Sequence, residues 1–99
     1  MATYVLLTKL SPDALRDAGS IEELYKQVKT KIETNAPNIR WTANYALVGP
    51  YDYLDIFEAP DDLTATKVAT IIRSFGHAAT EMWEAIPWQA YRGMVATIR

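Results

Sequence analysis

ALVGPYDYLDIFEAPDD, residues 46–62, sets two apolar and aromatic runs on either side of a Gly49-Pro50 corner and ends in a proline followed by two acids. A two-residue corner between runs of strand-forming residues reads as a β-hairpin, because it reverses the chain within reach of antiparallel pairing. Such a loop places Val48 opposite Tyr51 and Asn44 opposite Asp55. The acids after Pro60 suit a helix start, where a carboxylate accepts a backbone N–H that the helix itself leaves free. Strand, corner, strand and helix start therefore form the middle of the fold.

Working outward, residues 39–48 alternate, with Ile39, Trp41, Ala43, Tyr45 and Leu47 on one side and Arg40, Thr42, Asn44, Ala46 and Val48 on the other. Residues 51–59 form the facing strand. Beyond the acids, either of which can cap, Ala65, Val68, Ala69, Ile72 and Phe75 recur at helical spacing as a buried stripe, and Gly76 closes that helix. Residues 77–86 supply a further strand. Upstream, residues 3–10, TYVLLTKL, read as the first strand, stopped by Ser11-Pro12. Residues 12–18 read as a short helical segment ended by Gly19. Ser20 and Glu23 then form a capping box, so that the long helix begins at Ile21 and packs Ile21, Leu24, Tyr25, Val28 and Ile32. Asn35-Ala36-Pro37-Asn38 ends it, since a residue before proline avoids helical torsions. The tail, 87–99, opens with a helical turn.

The order βαββαβ predicts a ferredoxin-like α+β sandwich: a four-stranded antiparallel sheet with both helices on one face, a single domain over residues 1–99. Helices on one face leave the other bare, yet the strands are apolar on both. Tyr4, Leu6 and Leu10 oppose Val5 and Leu7, and Leu54 and Ile56 oppose Tyr51, Tyr53 and Phe57. Sheets that meet water alternate between apolar and polar, so the second face calls for a cover. A second copy related by a two-fold axis is the expected one, giving a homodimer. The alternative is a monomer whose tail lays Trp88, Tyr91, Met94, Val95 and Ile98 over that face.

A formal charge of -2, a pI near 5.3 and the lack of any basic run leave no electrostatic footprint for nucleic acid or an anionic membrane. The chain has no cysteine, hence no disulfide framework and no thiolate nucleophile. The N-terminal residues lack the basic flank of a signal peptide, and a cytoplasmic protein is expected.

The run TKLSP at 8–12, the hairpin GPYD at 49–52, EAPDD at 58–62 and TEMWEAI at 80–86 together resemble the GYD-domain family, small proteins named for a Gly-Tyr-Asp signature. The likeness covers nearly the whole chain in order. It implies a fold similar to the dimeric α+β barrels and assigns structural weight to Gly49, Tyr51 and Asp52, but it brings no activity with it. Two departures stand out: Pro50 interrupts the signature, and His77 occupies a position where the family more often carries a polar amide.

Thr42, Asn44, Tyr51, Tyr53, Asp55 and Phe57 share one face of the hairpin, the composition of a ligand pocket with apolar walls and few polar groups. Asp55, set between Tyr53 and Phe57, is expected to hold its proton more tightly than an ordinary carboxylate and could act as a base; its structural reading is a bond to Asn44, or to Arg40 of a second copy. His77, the single histidine, could move a proton near neutral pH or simply sit exposed at a helix end. Asp52 is expected to accept backbone N–H groups around Gly49, and Tyr51 to pack with its hydroxyl at a strand end. No metal-ligand set, phosphate loop or nucleophile elbow appears, so no cofactor is called for. Two functions follow: a small-molecule binding or regulatory module, or a cofactor-independent monooxygenase- or isomerase-like enzyme using Asp55 or His77.

Overall fold

In the computed structural model, which describes residues 1–99, the chain runs β1 (Ala2–Leu10), α1 (Ala18–Asn35), β2 (Arg40–Ala46), β3 (Tyr53–Ala59), α2 (Asp62–Ser74), β4 (Ala78–Ala85) and α3 (Trp88–Val95). The strands form one sheet in the order β2-β3-β1-β4, every neighbouring pair antiparallel. The two most apolar strands, β1 and β3, thus lie at the centre, and β2 and β4 form the edges. This is the expected βαββαβ sandwich.

Each long helix starts on an aspartate. Asp61 accepts the Thr64 N–H at 2.8 Å, which holds its carboxyl below the usual range, and Asp17 accepts the Ser20 N–H at 2.7 Å. The Asp17 cap corrects the expected start at Ile21. Because that carboxylate reaches the chain a turn earlier, Gly19 lies inside the first turn of α1 instead of ending a separate helix. Gly76, which does end α2, is the one residue with positive φ, at 77°.

One face of the sheet makes the core. Tyr4, Leu6, Phe57 and Ala59 pack with Ile32 and Ala36 at the end of α1 and with Ala65, Val68, Ala69 and Ile71 of α2. Leu6, Phe57 and Val68 are shut off from solvent, and burying side chains of this size is worth about 2–3 kcal/mol each. Two stripe assignments shift. Ile71 is the buried member of its pair while Ile72 is half-buried, and Tyr25 turns to solvent, where Lys29 lies over its ring at 5.9 Å.

The other face has no helix. Registers β1–β3 and β1–β4 put Val5, Leu7, Leu54, Ile56 and Trp83 on it, joined from β2 by Ala43 and Tyr45. Trp83 remains 58% and Tyr45 60% exposed. The tail does not cover this face, since α3 is not packed into the body of the domain and no residue of it is buried. The molecule measures 55 × 30 × 18 Å, and its radius of gyration, 15.4 Å, exceeds the roughly 13 Å of a closed domain this size. Its accessible surface, 6842 Å², exceeds the approximately 5,700 Å² expected of a compact 11.2 kDa monomer. No helix is long and apolar enough to cross a membrane.

Candidate functional site

The hairpin brings most of the sequence-predicted residues onto neighbouring strands. Asn44 lies opposite Asp55 as expected, and the ladder runs on to Ala46 opposite Tyr53 and to the Leu47 N–H on the Asp52 carbonyl; Val48 and Tyr51, expected to pair across a two-residue corner, lie beyond it in a longer loop. Strict alternation fails further back. A bulge between Trp41 and Ala43 leaves Thr42 as the extra residue, its hydroxyl donating to the Ile56 carbonyl at 3.1 Å, and swings Trp41 to the helix-covered face opposite Phe57. Trp41 was expected on the same side as Ala43 and Tyr45; the added residue reverses the parity between them. Gly49 has no left-handed torsion, and a Cβ added there would meet nothing, so the corner does not depend on glycine.

Asp52 ties three strands together. Its N–H donates to the Thr8 carbonyl and its carbonyl accepts from the Leu47 N–H, both at 2.8 Å, while its carboxylate accepts the Leu10 N–H at 2.7 Å. The expected acceptance of N–H groups near Gly49 is thereby corrected. The β1–β3 ladder stops at Thr8 opposite Tyr53, so the N–H of buried Leu10 would lack a strand partner there, and Asp52 supplies one. Tyr51 donates its hydroxyl to Glu81 of β4, a bond that raises the proton affinity of the phenol.

Asp55 lies on the helix-covered face beside Leu6 and accepts a hydrogen bond from Asn44 Nδ2 at 2.7 Å. Burial lifts its pKa above the ordinary carboxylate value, and the Asn44 bond offsets only part of that. Tyr53 is lifted too, first by burial and then by the charges of Asp52 and Asp55. Asp55, Asn44 and Tyr53 thus form one polar patch toward the β2 edge, able to hold a proton and to accept and donate hydrogen bonds. Phe57 is a core residue: it is fully buried, stacked on Tyr4 at 5.6 Å between ring centroids and met at a tilt by Trp41 at 5.3 Å. His77 stands apart. It precedes Ala78, which pairs with Leu10, whereas Asp55 pairs with Leu6, so more than about 13 Å of strand separates them. His77 is exposed and lines an open depression of about 570 Å³ with Asp13, Arg16, Glu23, Leu24 and Phe75.

Two polar pairs had no signal in the sequence. Tyr4 donates its hydroxyl to Asp62, which holds the phenolic proton and pushes its pKa up to about 12, and Tyr51 meets Glu81. Each joins residues 30 or more positions apart, beyond the reach of any local pattern.

The profile of the family described as GYD domain matches residues 4–95. The chain belongs to the GYD-domain family. A Thermus thermophilus relative named glutamine synthetase and cystathionine beta-lyase binding protein is 32% identical over 87 residues, which are 88% of this chain and 90% of that one. Among solved structures, TTHA0845, also from Thermus thermophilus, superposes with a TM-score of 0.61 at 20% identity, over 88% of this chain and 95% of its own. FFRP-DM1 gives a TM-score of 0.58 at 20% identity, over 87% of this chain and 100% of its own. MtbAldR gives 0.65 at 16% identity over 87% of this chain, which spans only about half (53%) of that longer protein. At such identities these structures bear on the fold alone: the GYD domain here is a ferredoxin-like α+β sandwich.

Proposed function

We propose that this GYD protein is a cytoplasmic homodimer, paired sheet to sheet, that works as a binding and regulatory module on a protein partner. The observation that carries the reading is the bare face of Val5, Leu7, Leu54, Ile56, Tyr45 and Trp83. Surface in excess of a compact monomer amounts to roughly 1,100 Å², against about 800 Å² per partner in a standard interface. The relative named for binding glutamine synthetase and cystathionine beta-lyase supports an enzyme as that partner. The space flanking Asp55 also favours a module over an enzyme, because the packed rings of Tyr4, Phe57 and Trp41 fill it.

Sedimentation equilibrium at micromolar concentration should give twice the chain mass. Ile56→Lys, placing a charge at the centre of the bare face, should weaken association at least 30-fold with unchanged far-UV circular dichroism, as loss of a central interface anchor does. A single-chain mass at all concentrations would end the dimer reading. Glutamine synthetase from the same organism, titrated with the dimer in a calorimeter, should give saturable heat; no heat would remove that enzyme as the partner.

A second reading rests on the raised proton affinity of Asp55. A small, partly apolar ligand would bind over Asn44, Tyr53 and Thr42, with Tyr51 at the rim, and Asp55 would accept its proton; His77 would serve a separate site at the α2–β4 turn. Turnover of any substrate by an Asp55→Asn variant at the wild-type rate would exclude Asp55 from that role.

A further inference from the structure

The strand registers set the bare face out in rows across the sheet. One row runs Ala43, Ile56, Val5, Trp83 from the β2 edge to the β4 edge, and the next runs Tyr45, Leu54, Leu7, Glu81. Each row has two aliphatic residues at its centre and unlike residues at its ends. In the first the ends are a methyl group and an indole, in the second a phenol and a carboxylate.

A two-fold interface is self-complementary, because each protomer offers the other the same patch. Aligned sheets that pack face to face keep their strand directions within about 30° and interdigitate their inner side chains across roughly 10 Å. A two-fold running along the strands, between β1 and β3, lays β2 over β4 of the second copy and β3 over its β1. The ends of each row then meet their opposites. Trp83 comes over the partner's Ala43, large on small, and Ile56 over the partner's Val5. Tyr45 brings its hydroxyl to the partner's Glu81, where the Tyr51 bond takes Oε2 and leaves Oε1 free. A two-fold running across the strands instead lays each strand over its own copy, which sets Trp83 on the partner's Glu81 and buries a carboxylate against an apolar ring. The other charges also suit the first arrangement. Arg40 and Glu58 face each other within one chain, next to the partner's Ala85 and Thr3, and Lys9 overlies the start of the partner's β3, where Asp52 stands.

We propose that the second copy stacks on the bare face about a two-fold axis that follows the strands between β1 and β3, with Trp83 of each protomer seated on Ala43 of the other. This rests on the dimer reading above. What chooses a second copy as the occupant is that the face carries its own match: reversing either row end for end supplies the small residue its large one and the hydroxyl its carboxylate. Within one chain Ala43 and Trp83 stand on opposite edges of the sheet, three strand spacings or about 14 Å apart, so coupling between them is made only across the dimer.

The test is a double-mutant cycle on dimer dissociation constants, measured by analytical ultracentrifugation for the full chain, Ala43→Trp, Trp83→Ala and the two together. Each single change should weaken the dimer about tenfold or more, Ala43→Trp by overfilling the seat and Trp83→Ala by emptying it. The pair, which exchanges the two residues, should return to within about threefold of the unaltered chain. Losses that simply multiply in the double variant overturn the axis and leave the dimer standing, since a two-fold across the strands or diagonal to them parts Trp83 from the partner's Ala43. Unchanged constants in both single variants overturn it as well. Tyr45→Phe removes one exposed hydroxyl and keeps the ring, so it decides the matter where the double variant does not fold: it should weaken the dimer about fivefold, and an unchanged constant overturns the axis. A single-chain mass for the unaltered protein at every concentration overturns both readings.

Discussion

The two faces of the sheet are built from the same strands, and neighbouring residues of β1 divide between them, yet they reach opposite ends. Tyr4 and Leu6 are closed off by helices of their own chain, while Val5 and Leu7, one residue along in each case, look out onto a face that nothing in the protomer covers. Two helices carry enough apolar surface for one side of a four-stranded sheet and no more. The lesson is that an apolar strand residue is no guide to where its partner lies. Parity along the strand decides whether the contact is made within the chain or by another one.

Substitution on the closed face tests the contrast most strongly. Phe57→Ala removes the ring that Tyr4 and Trp41 enclose and should cost about 3–5 kcal/mol of folding stability, read from urea midpoints. Because that loss belongs to the protomer, it should be the same at any protein concentration, whereas the Ile56→Lys effect one residue away should appear only in association. A Phe57→Ala loss that vanishes on dilution would erase the distinction between the faces. A smaller effect is expected where the two sides meet at the strand ends. Asp52→Ala strips the Leu10 N–H of its acceptor and should cost about 1–3 kcal/mol, with Asp52→Asn recovering part of it. Equal loss in both variants would mean that the carboxylate acts by charge and not as the third tie between hairpin and first strand.

Much of this was legible because the signals are local. The aspartate cap of α2, the glycine stop at Gly76, alternation in β1 and the corner at Gly49-Pro50 all act within a few residues, and they sufficed for the order of elements and for the register of Asn44 with Asp55. What escaped has a common cause. The bulge at Thr42 adds a single residue without glycine or any other mark, and it moved Trp41 into the core. Ser20 and Glu23 fit a capping box, but Asp17, three residues earlier, takes the Ser20 N–H that Glu23 would have accepted. Asp62 bonding Tyr4, Glu81 bonding Tyr51 and Asp52 bonding Leu10 are set by strand order, which brings distant residues together without a trace in either neighbourhood. In the candidate site, residue types were readable and partners only partly so.

Asp55 offers the finest test, since it is the one carboxylate on the closed face whose burial outweighs its bonding. A carboxyl with a raised native pKa binds more protons folded than unfolded, so stability declines as pH climbs through that pKa and is recovered as pH falls toward the ordinary value near 4. At neutral pH the ionised group is therefore a net cost. Asn44 lessens that cost, and the partial exposure of Asp55 lessens it further. Asp55→Asn, which cannot ionise, should match or exceed the wild type at pH 7 and lose that advantage steadily below pH 5, in paired urea titrations where the other acids cancel. The opposite trend, with the variant weakest at pH 7, would show that the Asn44 bond dominates desolvation. Asp55 would then be an anchored structural carboxylate of the same kind as Asp52, with no spare proton affinity to lend to a ligand.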